Sequence, residues 1–363
     1  MPKIASVGVC IPPNHLTQDT TMEFAAELFQ QSFKDLPRLL KVFENAEIRS
    51  RNLAEDITWF KQDHTFEEKN NTYIKHAVEL GAKAITNCLD NQTFLQSTIP
   101  YNEIDAIFFI STTGISTPSI EAKIMNKLSF SPHTKRIPIW GLGCAGGAAG
   151  LSRAYEYCLA YPNAKVLVVS VELCSLTFQR NDRSKSNLVG TSLFSDGVAA
   201  VLLAGDKAVV QRNEKILTIP RVLDTQSTLM PDSEDVMGWD IKNEGLYVIF
   251  SKDIPSIITS WLKPNVEKFL EKNQLKLHDI QHFIAHPGGK KVIEAYEKSL
   301  GFSKEKTRIS QHVLREHGNM SSATVYYVLE EFMKCEIPKN ELGLIAALGP
   351  GFSSELLLVR WDE

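Results

Sequence analysis

Short apolar runs alternate with longer amphipathic stretches along the whole chain. The short runs are rich in β-branched residues and bounded by turn residues, which predicts strands, whereas the longer stretches repeat apolar positions every three or four residues, which predicts helices. A first strand is expected in residues 1–10. The other predicted strands are 105–111, 136–140, 165–172, 197–204, 216–223, 280–286, 342–348 and 354–361, and the predicted helices are 72–88, 148–161, 254–270, 290–300 and 321–334. This alternation favours an α/β class built of layered sheets and helices.

The two halves of the chain resemble each other weakly. In each half a buried strand is followed by a turn, and a later glycine-containing turn, at 196–197 and at 349–351, leads into another buried strand. This pattern predicts a duplicated unit, with an N-terminal half of residues 1–208 and a C-terminal half of residues 209–363. The polar stretch 205–214 would join them.

Composition and charge narrow the class of protein. The 363 residues carry 39 Lys and Arg against 43 Asp and Glu, a net charge of −4, which argues against a nucleic-acid-binding protein or one held on an anionic membrane. No apolar run approaches the ~18 residues of a membrane span. The 6 cysteines form no C-x-x-C pair, which argues against a zinc ribbon and against a disulfide framework. We therefore expect a reduced, cytoplasmic protein in which one cysteine is available as a nucleophile.

A glycine-rich turn, GLGCAG at residues 141–146, separates a predicted strand from a predicted helix. Its G-x-G-x-x-G pattern matches a dinucleotide-binding fingerprint, but the next acidic residue that ends a strand, Glu172, lies far beyond the expected spacing of about 20 residues. The alternative is that the turn places Cys144 at a helix N-terminus, where free N–H groups and the helix dipole lower the pKa of a thiol. A small buried residue in a packing turn is a third interpretation of Cys144.

Two more residues stand where a cysteine nucleophile would need partners. His286 ends a predicted buried strand and precedes a Pro-Gly-Gly turn, and the carboxyl edge of a strand is where ligand sites form in layered α/β proteins. A histidine satisfied within a turn is the alternative. Asn319 opens a predicted helix, so it is either an N-cap or an amide that donates to a developing oxyanion.

The motifs around these three residues resemble those of type III polyketide synthases, the chalcone-synthase-like branch of the thiolase fold. The matching segments are GLGCAGG at 141–147, IAHPGG at 284–289, GNMSSA at 318–323 and LGPGF at 348–352, in the same order and spacing over nearly the whole chain. The resemblance implies a duplicated αβαβα layered sandwich, a homodimer, and a catalytic triad of Cys144, His286 and Asn319. It also implies acyl-CoA and malonyl-CoA as substrates, with no metal, flavin or nicotinamide, because decarboxylation drives the condensation.

The resemblance also assigns residues to a substrate pocket. Phe194 matches a gatekeeper aromatic, Val248 stands where the plant enzymes have a second gatekeeper Phe, and Cys174 replaces a plant Thr. Thr117 replaces a plant Met that reaches across the dimer. These changes describe a larger and more apolar cavity, so we expect a long-chain fatty-acyl starter and alkylpyrone or alkylresorcinol products. The complete predicted pocket is Thr112, Thr113, Thr117, Cys174, Thr177, Phe194, Gly238, Val248, Ser321, Gly349, Pro350 and Gly351.

The CoA diphosphate would need cations at the entrance. Arg49 and Arg51 fall where family members carry basic residues at the tunnel mouth, so the resemblance implies that they bind CoA, and a solvated basic turn is the alternative. The nearest alternative function is a ketoacyl synthase III of fatty-acid synthesis, which shares the Cys, His and Asn set. Its histidine usually lies in a His-Gln-Ala-Asn context, unlike His286 here, and it lacks the loop at 349–351. A non-catalytic thiolase-fold protein would have no need of an intact triad.

Overall fold

The computed structural model describes residues 1–30 and 32–363, and a mixed nine-stranded sheet runs through it. The strands are β1 (Lys3–Cys10), β2 (Asn14–Thr17), β3 (Ser50–Leu53), β4 (Ala106–Ile110), β5 (Lys135–Ile139), β6 (Lys165–Leu173), β7 (Asp196–Ala204), β8 (Ile219–Leu229), β9 (Met237–Lys242), β10 (Gly245–Phe250), β11 (His282–Ala285), β12 (Leu342–Gly349) and β13 (Ser353–Asp362). The helices are α1 (Gln18–Phe29), α2 (Leu36–Asn45), α3 (Phe66–Leu89), α4 (Ile120–Met125), α5 (Gly146–Ala160), α6 (Lys185–Leu193), α7 (Ile254–Ile257), α8 (Lys263–Lys272), α9 (Lys290–Leu300), α10 (Lys304–His317) and α11 (Thr324–Lys334).

The large sheet contains the same strand arrangement twice. Its order is β11-β12-β13-β8-β1-β7-β6-β4-β5. The run β4-β6-β7-β1 has one parallel pair followed by two antiparallel pairs, and the run β11-β12-β13-β8 repeats that pattern. The two copies meet where β1 pairs with β8 at Lys3 and Arg221. The predicted duplicated sandwich is confirmed, whereas the boundary between residues 208 and 209 stays a prediction.

Two helices form the middle layer between the copies. Helix α5 packs on β4, β6 and β7 and also on β8, β12 and β13, while α11 packs on β1, β7 and β11. Such close packing requires small residues: a Cβ at Gly150 would lie 2.6 Å from Ile110 Cδ1. Helix α3 covers the outer face of the first copy. Helix α8 covers that of the second, where its Val266, Phe269 and Leu270 cluster with Phe283 and Leu356, which completes the αβαβα layers. No helix within the described residues is both long and apolar enough to cross a membrane.

The structure extends several predicted elements and adds others. Helix α3 begins at Phe66, ahead of the predicted start, because Thr65 caps it. Thr65 Oγ1 accepts from Glu68 N at 3.2 Å, and Thr65 N donates to Glu68 Oε2 at 2.8 Å. The apolar pattern predicted none of α1, α2, α4, α6 and α10, and neither the β2–β3 pair nor the β9–β10 hairpin. Apart from α4 and α10, these elements surround the cavities described below, so most of the unpredicted part of the fold shapes the site.

Candidate active site

Cys144 lies in a tight turn between β5 and α5. The chain reverses through Gly141 and Gly143, with φ of 90° and 47°, a backbone conformation that glycine adopts without steric cost. A Cβ at Gly147 would lie 2.3 Å from Ser322 O, so the glycine there allows a second backbone to approach the nucleophile turn. The glycine pattern is therefore explained by packing, and the dinucleotide interpretation has no support.

His286 and Asn319 line the same cavity as Cys144, a space of about 330 Å³. His286 follows β11, and its N–H donates to Ala346 O at 2.8 Å, which continues the ladder with β12. Asn319 follows the C-terminal end of α10. The chain thus brings the predicted nucleophile, base and amide donor together from three separate elements.

The His286 ring and the Asn319 amide converge beside Gly288. Asn319 Nδ2 donates to Gly288 O at 3.0 Å, and its Oδ1 accepts from Ser321 N at 2.9 Å, which fixes the orientation of the amide. A Cβ at Gly288 would lie 3.6 Å from His286 Nε2. Within the part of the chain that the structure describes, neither ring nitrogen of His286 has a hydrogen-bond partner. Both groups are therefore placed to donate to an oxygen atom in this space.

Burial favours the neutral forms of both partners at rest. It raises the pKa of the Cys144 thiol to about 12, although a hydrogen bond from Sγ to Ser321 Oγ at 3.6 Å acts in the opposite direction. It also lowers the pKa of His286 to about 3. The expectation that the helix N-terminus lowers the Cys144 pKa is wrong, because desolvation outweighs it. Both shifts favour a thiol and a neutral imidazole at rest.

Glu172 is a buried carboxyl at this site that the sequence analysis considered only as a mismatch to the dinucleotide pattern. It ends β6 and accepts from Thr112 N at 3.0 Å, from the Thr112 and Thr113 hydroxyls at 3.1 Å each, and from Ser322 Oγ. Burial raises its pKa to about 7, and its charge raises the pKa of Cys144. The sequence signal that could have identified Glu172 was an acidic residue at the end of a predicted buried strand. No group of three or more His, Cys, Asp or Glu among the described residues is arranged to hold a metal ion.

A second, narrow and largely apolar cavity of about 70 Å³ lies next to the first. Four predicted pocket residues line it: Cys174, Thr177, Phe194 and Val248. The other lining residues were not predicted. Most of them come from β2, α1, β3, β9 and the segments that follow β3 and β6, here called the cap elements; they include Leu16, Phe24, Leu53, Ile57, Phe60, Phe178 and Trp239.

Phe194 connects the two cavities. It lines the second cavity, and its ring stacks on Phe250, which lines the first cavity, with centroids 5.5 Å apart. Cys174 lines the second cavity as well. The second cavity therefore adjoins the cavity that contains Cys144.

The Gly349-Pro350-Gly351 loop packs directly on the nucleophile turn. A Cβ at Gly349 would lie 2.6 Å from Ala145 Cβ, so a side chain there would displace the turn. Ser233 holds the far end of the loop, because its Oγ donates to Gly351 O at 2.5 Å. The loop shapes the site through its backbone, and Ser233 is a residue that the sequence analysis missed.

Eight of the twelve predicted pocket residues line neither cavity. Thr112 and Thr113 bond to Glu172, Ser321 bonds to Cys144, and the 349–351 loop packs on the nucleophile turn, whereas Thr117 and Gly238 make none of these contacts. Thr117 is exposed, on a groove that it shares with Ile115 and Trp140, whose side chains are 50% and 47% exposed. Gly238 lies in the β9–β10 hairpin opposite Ile249. A role for Thr117 at the site would require a second copy of the chain.

The predicted CoA-binding arginines do not meet at the cavity mouth. Arg51 is only 1% exposed, and its guanidinium donates to backbone carbonyls of its own chain, so the prediction that it binds a CoA diphosphate is wrong. Arg49 is exposed but lines neither cavity within the described residues, so its role stays a prediction. The cations that do line the mouth of the first cavity are Lys252, Lys290 and Lys291.

Comparison with known proteins matches this geometry to one family. The models of the N-terminal and C-terminal domains of chalcone and stilbene synthases match residues 4–207 and 221–361. The chain is 56% identical over 361 residues to a Bacillus subtilis (strain 168) protein that carries the provisional name of chalcone synthase, with 99% of each chain covered. It is 34% identical over 359 residues to the 1,3,6,8-tetrahydroxynaphthalene synthase of Streptomyces peucetius subsp. caesius, covering 99% of this chain and 93% of that one.

Solved structures agree with the sequence comparisons. The 1,3,6,8-tetrahydroxynaphthalene synthase of Streptomyces coelicolor A3(2), a bacterial type III polyketide synthase, superposes with a TM-score of 0.89 at 28% identity over 99% of both chains. The family models span both halves of the chain, which favours this assignment over a ketoacyl synthase III. The chain therefore belongs to the chalcone and stilbene synthase family and is a type III polyketide synthase.

Proposed function

We propose that this polyketide synthase loads a long-chain fatty-acyl starter on Cys144, extends it with malonyl-CoA, and releases alkylpyrones or alkylresorcinols. The apolar second cavity, which adjoins the cavity that contains Cys144, is the observation that carries the proposal. A hydrocarbon chain gains free energy from leaving water for such a lining, at about 25 cal/mol per Å² of apolar surface.

The loading step uses the neutral pair at rest. As Cys144 Sγ attacks the thioester carbonyl of the starter, His286 takes the thiol proton. The new acyl–sulfur bond replaces the bond to CoA, and His286 returns the proton to the departing CoA thiolate. Since burial disfavours a free thiolate, proton transfer to His286 accompanies the attack rather than preceding it.

The extension step uses the donors beside Gly288. His286 Nε2 and Asn319 Nδ2 donate to the thioester oxygen of malonyl-CoA, which stabilises the enolate that forms when CO₂ leaves. The enolate carbon then attacks the acyl group, and the bond to Cys144 Sγ breaks. Loss of CO₂ drives this condensation, so the proposed reaction needs no metal, flavin or nicotinamide. It needs a free thiol, and all six cysteines are free, in keeping with a cytoplasmic enzyme.

The position of the second cavity favours an aliphatic tail over a short aromatic starter. Phe194 stands between the cavities, and Val248 leaves space where the plant enzymes have a phenyl ring. The far lining includes Phe24, Phe60 and Phe178, which present apolar surface and no charge. An acyl chain bound to Cys144 would pass Cys174 and end against these rings.

Lysines at the mouth of the first cavity replace the arginines expected from the sequence. Lys290 is paired with Glu47 at 2.6 Å, whereas Lys252 and Lys291 have no acidic partner within 4.0 Å among the described residues. We propose that Lys252 and Lys291 attract the CoA diphosphate. Lysine ammonium groups bind phosphate as point charges, so these two cations suit a diphosphate.

We also propose that the chain acts as a homodimer. Ile115 and Trp140 leave large apolar side chains half exposed beside Thr117, and a second copy would cover them. This arrangement would also bring Thr117 of one subunit to the cavity of its partner, as the family resemblance implies.

The test is mass spectrometry of the products formed from malonyl-CoA and a panel of acyl-CoA starters of increasing chain length, with coumaroyl-CoA included. We expect pyrones or resorcinols from long aliphatic starters and little turnover of coumaroyl-CoA. Cys144→Ala is the control for products formed without the enzyme. Equal or better turnover of short aromatic esters would overturn the proposed starter while leaving the polyketide synthase activity intact.

A further inference from the structure

We propose that Arg51 is a positioning residue that holds residues 191–195 in place and thereby sets the positions of Phe194 and Asn319 in the active site. The inference concerns a side chain that no step of the reaction uses. It rests on the proposed role of Asn319 in malonyl-CoA decarboxylation.

Arg51 reaches from β3 to the C-terminal end of α6. Its Nη1 donates to Thr191 O and Phe194 O, and its Nη2 donates to Ser192 O, each at 2.8 Å. Gln18 Oε1 accepts a further bond from Nη2. The last carbonyls of a helix have no partners within the helix, and a cation is favourable there. The guanidinium therefore acts as a side-chain cap on the helix that leads into Phe194.

The capped segment is paired with the backbone of Asn319. Asn319 N donates to Leu193 O at 2.9 Å, and Ser195 N donates to Asn319 O at 2.9 Å, so the two bonds flank Phe194. Any displacement of residues 191–195 would consequently move the Asn319 backbone. It would also move the Phe194 ring that separates the two cavities.

No acid among the described residues compensates the charge of Arg51, which favours a geometric role for its side chain. Every acceptor bonded to the Arg51 guanidinium is a carbonyl oxygen, and burial lowers the pKa of this group to about 9. Burying a cation without a carboxylate is costly. A planar guanidinium can bind several carbonyls at fixed angles, which a lysine ammonium cannot do from the same position. The cost is thus offset by a geometry that only arginine provides.

The primary test compares Arg51→Lys with the wild-type enzyme in three measurements. Malonyl-CoA decarboxylation is followed as acetyl-CoA formation, alkylation of Cys144 by iodoacetamide reports the nucleophile, and hydrogen–deuterium exchange reports the backbone of residues 191–195 and 318–320. Because a misplacement of about 1 Å can cost about 100-fold, we expect kcat for decarboxylation to fall about 10- to 100-fold while KM stays within about twofold. Alkylation should change little, and exchange should quicken in those two segments.

Two further variants separate positioning from general stability. Ile85→Ala, in the buried face of α3 away from the cavities, is the control for a fall in melting temperature, and it should keep the wild-type kcat. Gln18→Leu removes one acceptor of Arg51 and leaves the arginine in place, so it should reproduce the exchange change and the kcat loss to a smaller extent. Gln18→Leu therefore tests the positioning role if Arg51→Lys fails to fold.

The outcomes distinguish this proposal from the proposed function. Unchanged exchange at 191–195 and 318–320 in the folded variants, or a kcat loss that Ile85→Ala reproduces, would overturn the positioning role. A wild-type enzyme that fails to decarboxylate malonyl-CoA would instead overturn the proposed role of Asn319. In that event the exchange measurement still decides whether Arg51 holds the segment.

Discussion

Asn319→Ala tests the enolate-stabilising role most directly. The substitution removes Nδ2, which lies 3.0 Å from Gly288 O and faces the space shared with His286. Loss of one such donor typically costs about 2.7–4 kcal/mol of transition-state stabilisation, which is about 10²–10³ in rate. We expect malonyl-CoA decarboxylation to fall by that factor. Acylation of Cys144 by the starter should stay within about threefold, because it depends on His286 and the thiol.

The structural cost of the same substitution must be measured separately. Asn319 Oδ1 accepts from Ser321 N at 2.9 Å, and removal of this acceptor leaves a buried N–H without a partner, at about 1–3 kcal/mol of unfolding free energy. Asn91 offers a matched control, because its Nδ2 donates to Val7 O at 2.7 Å and its Oδ1 accepts from Thr93 N at 3.1 Å. Asn91→Ala loses the same two kinds of bond at a distance from the site. It should lose stability and keep its activity.

The assay follows acetyl-CoA release from malonyl-CoA and, in a separate experiment, the mass of the acylated protein. A wild-type decarboxylation rate in Asn319→Ala would refute the donor role. An equal fall in acylation and decarboxylation would show that the substitution disturbs Cys144 instead. A comparable fall in Asn91→Ala would mean that the loss follows from stability alone.

Further substitutions test the other parts of the site. Cys144→Ala should abolish condensation and retain some decarboxylation, and full product formation would contradict the assignment of the nucleophile. Val248→Phe should shorten the accepted acyl chain by filling the second cavity, so an unchanged chain-length profile would exclude this residue from the acyl path. Burial raises the Glu172 pKa from 4.5 to about 7, so between these pH values the folded protein holds a proton that the unfolded chain has released. The resulting contribution to the free energy of unfolding is complete below about pH 4.5 and is lost as the pH rises through about 7. Its size is about 3 kcal/mol. Urea unfolding of Glu172→Gln should lack that part of the pH dependence, and an identical slope would place the proton elsewhere. Lys291→Glu should raise the KM for malonyl-CoA severalfold and less so at high salt, whereas Lys298→Glu, on the exposed face of the same helix, should not.

The proposed catalytic residues could be recognised through the family resemblance because the motifs that carry them are local. Cys144 stands beside glycines that the turn requires, Gly143 with its positive φ among them. His286 adjoins a Pro-Gly-Gly turn, and Asn319 precedes the small residues that let the chain pack on α5. Each motif joins a reactive side chain to a backbone requirement, so its meaning does not depend on distant parts of the chain.

The residues that shape the site were harder to predict because distant contacts decide their surroundings. Arg49 and Arg51 are chemically identical in the sequence, yet one is exposed and the other is buried against carbonyls that lie 140 or more positions away. The rings of Phe24 and Phe60 belong to cap elements whose apolar pattern is too short to predict. Burial of such residues is a property of the assembled fold and not of their own segments.

The protonation of the site follows from the same burial. Glu172 and Cys144 are coupled, since the charge of the carboxylate raises the pKa of the thiol. A Glu172 held at its ordinary pKa would be anionic at neutral pH and would oppose every step in which negative charge develops on Cys144 Sγ. Burial raises the Glu172 pKa to about 7, so a large fraction of the molecules carries a neutral acid there. The desolvation that makes the Cys144 thiolate costly therefore also removes a charge that would make it costlier. This leaves a neutral dipole, the Ser321 hydroxyl, beside the sulfur as the starter is bound.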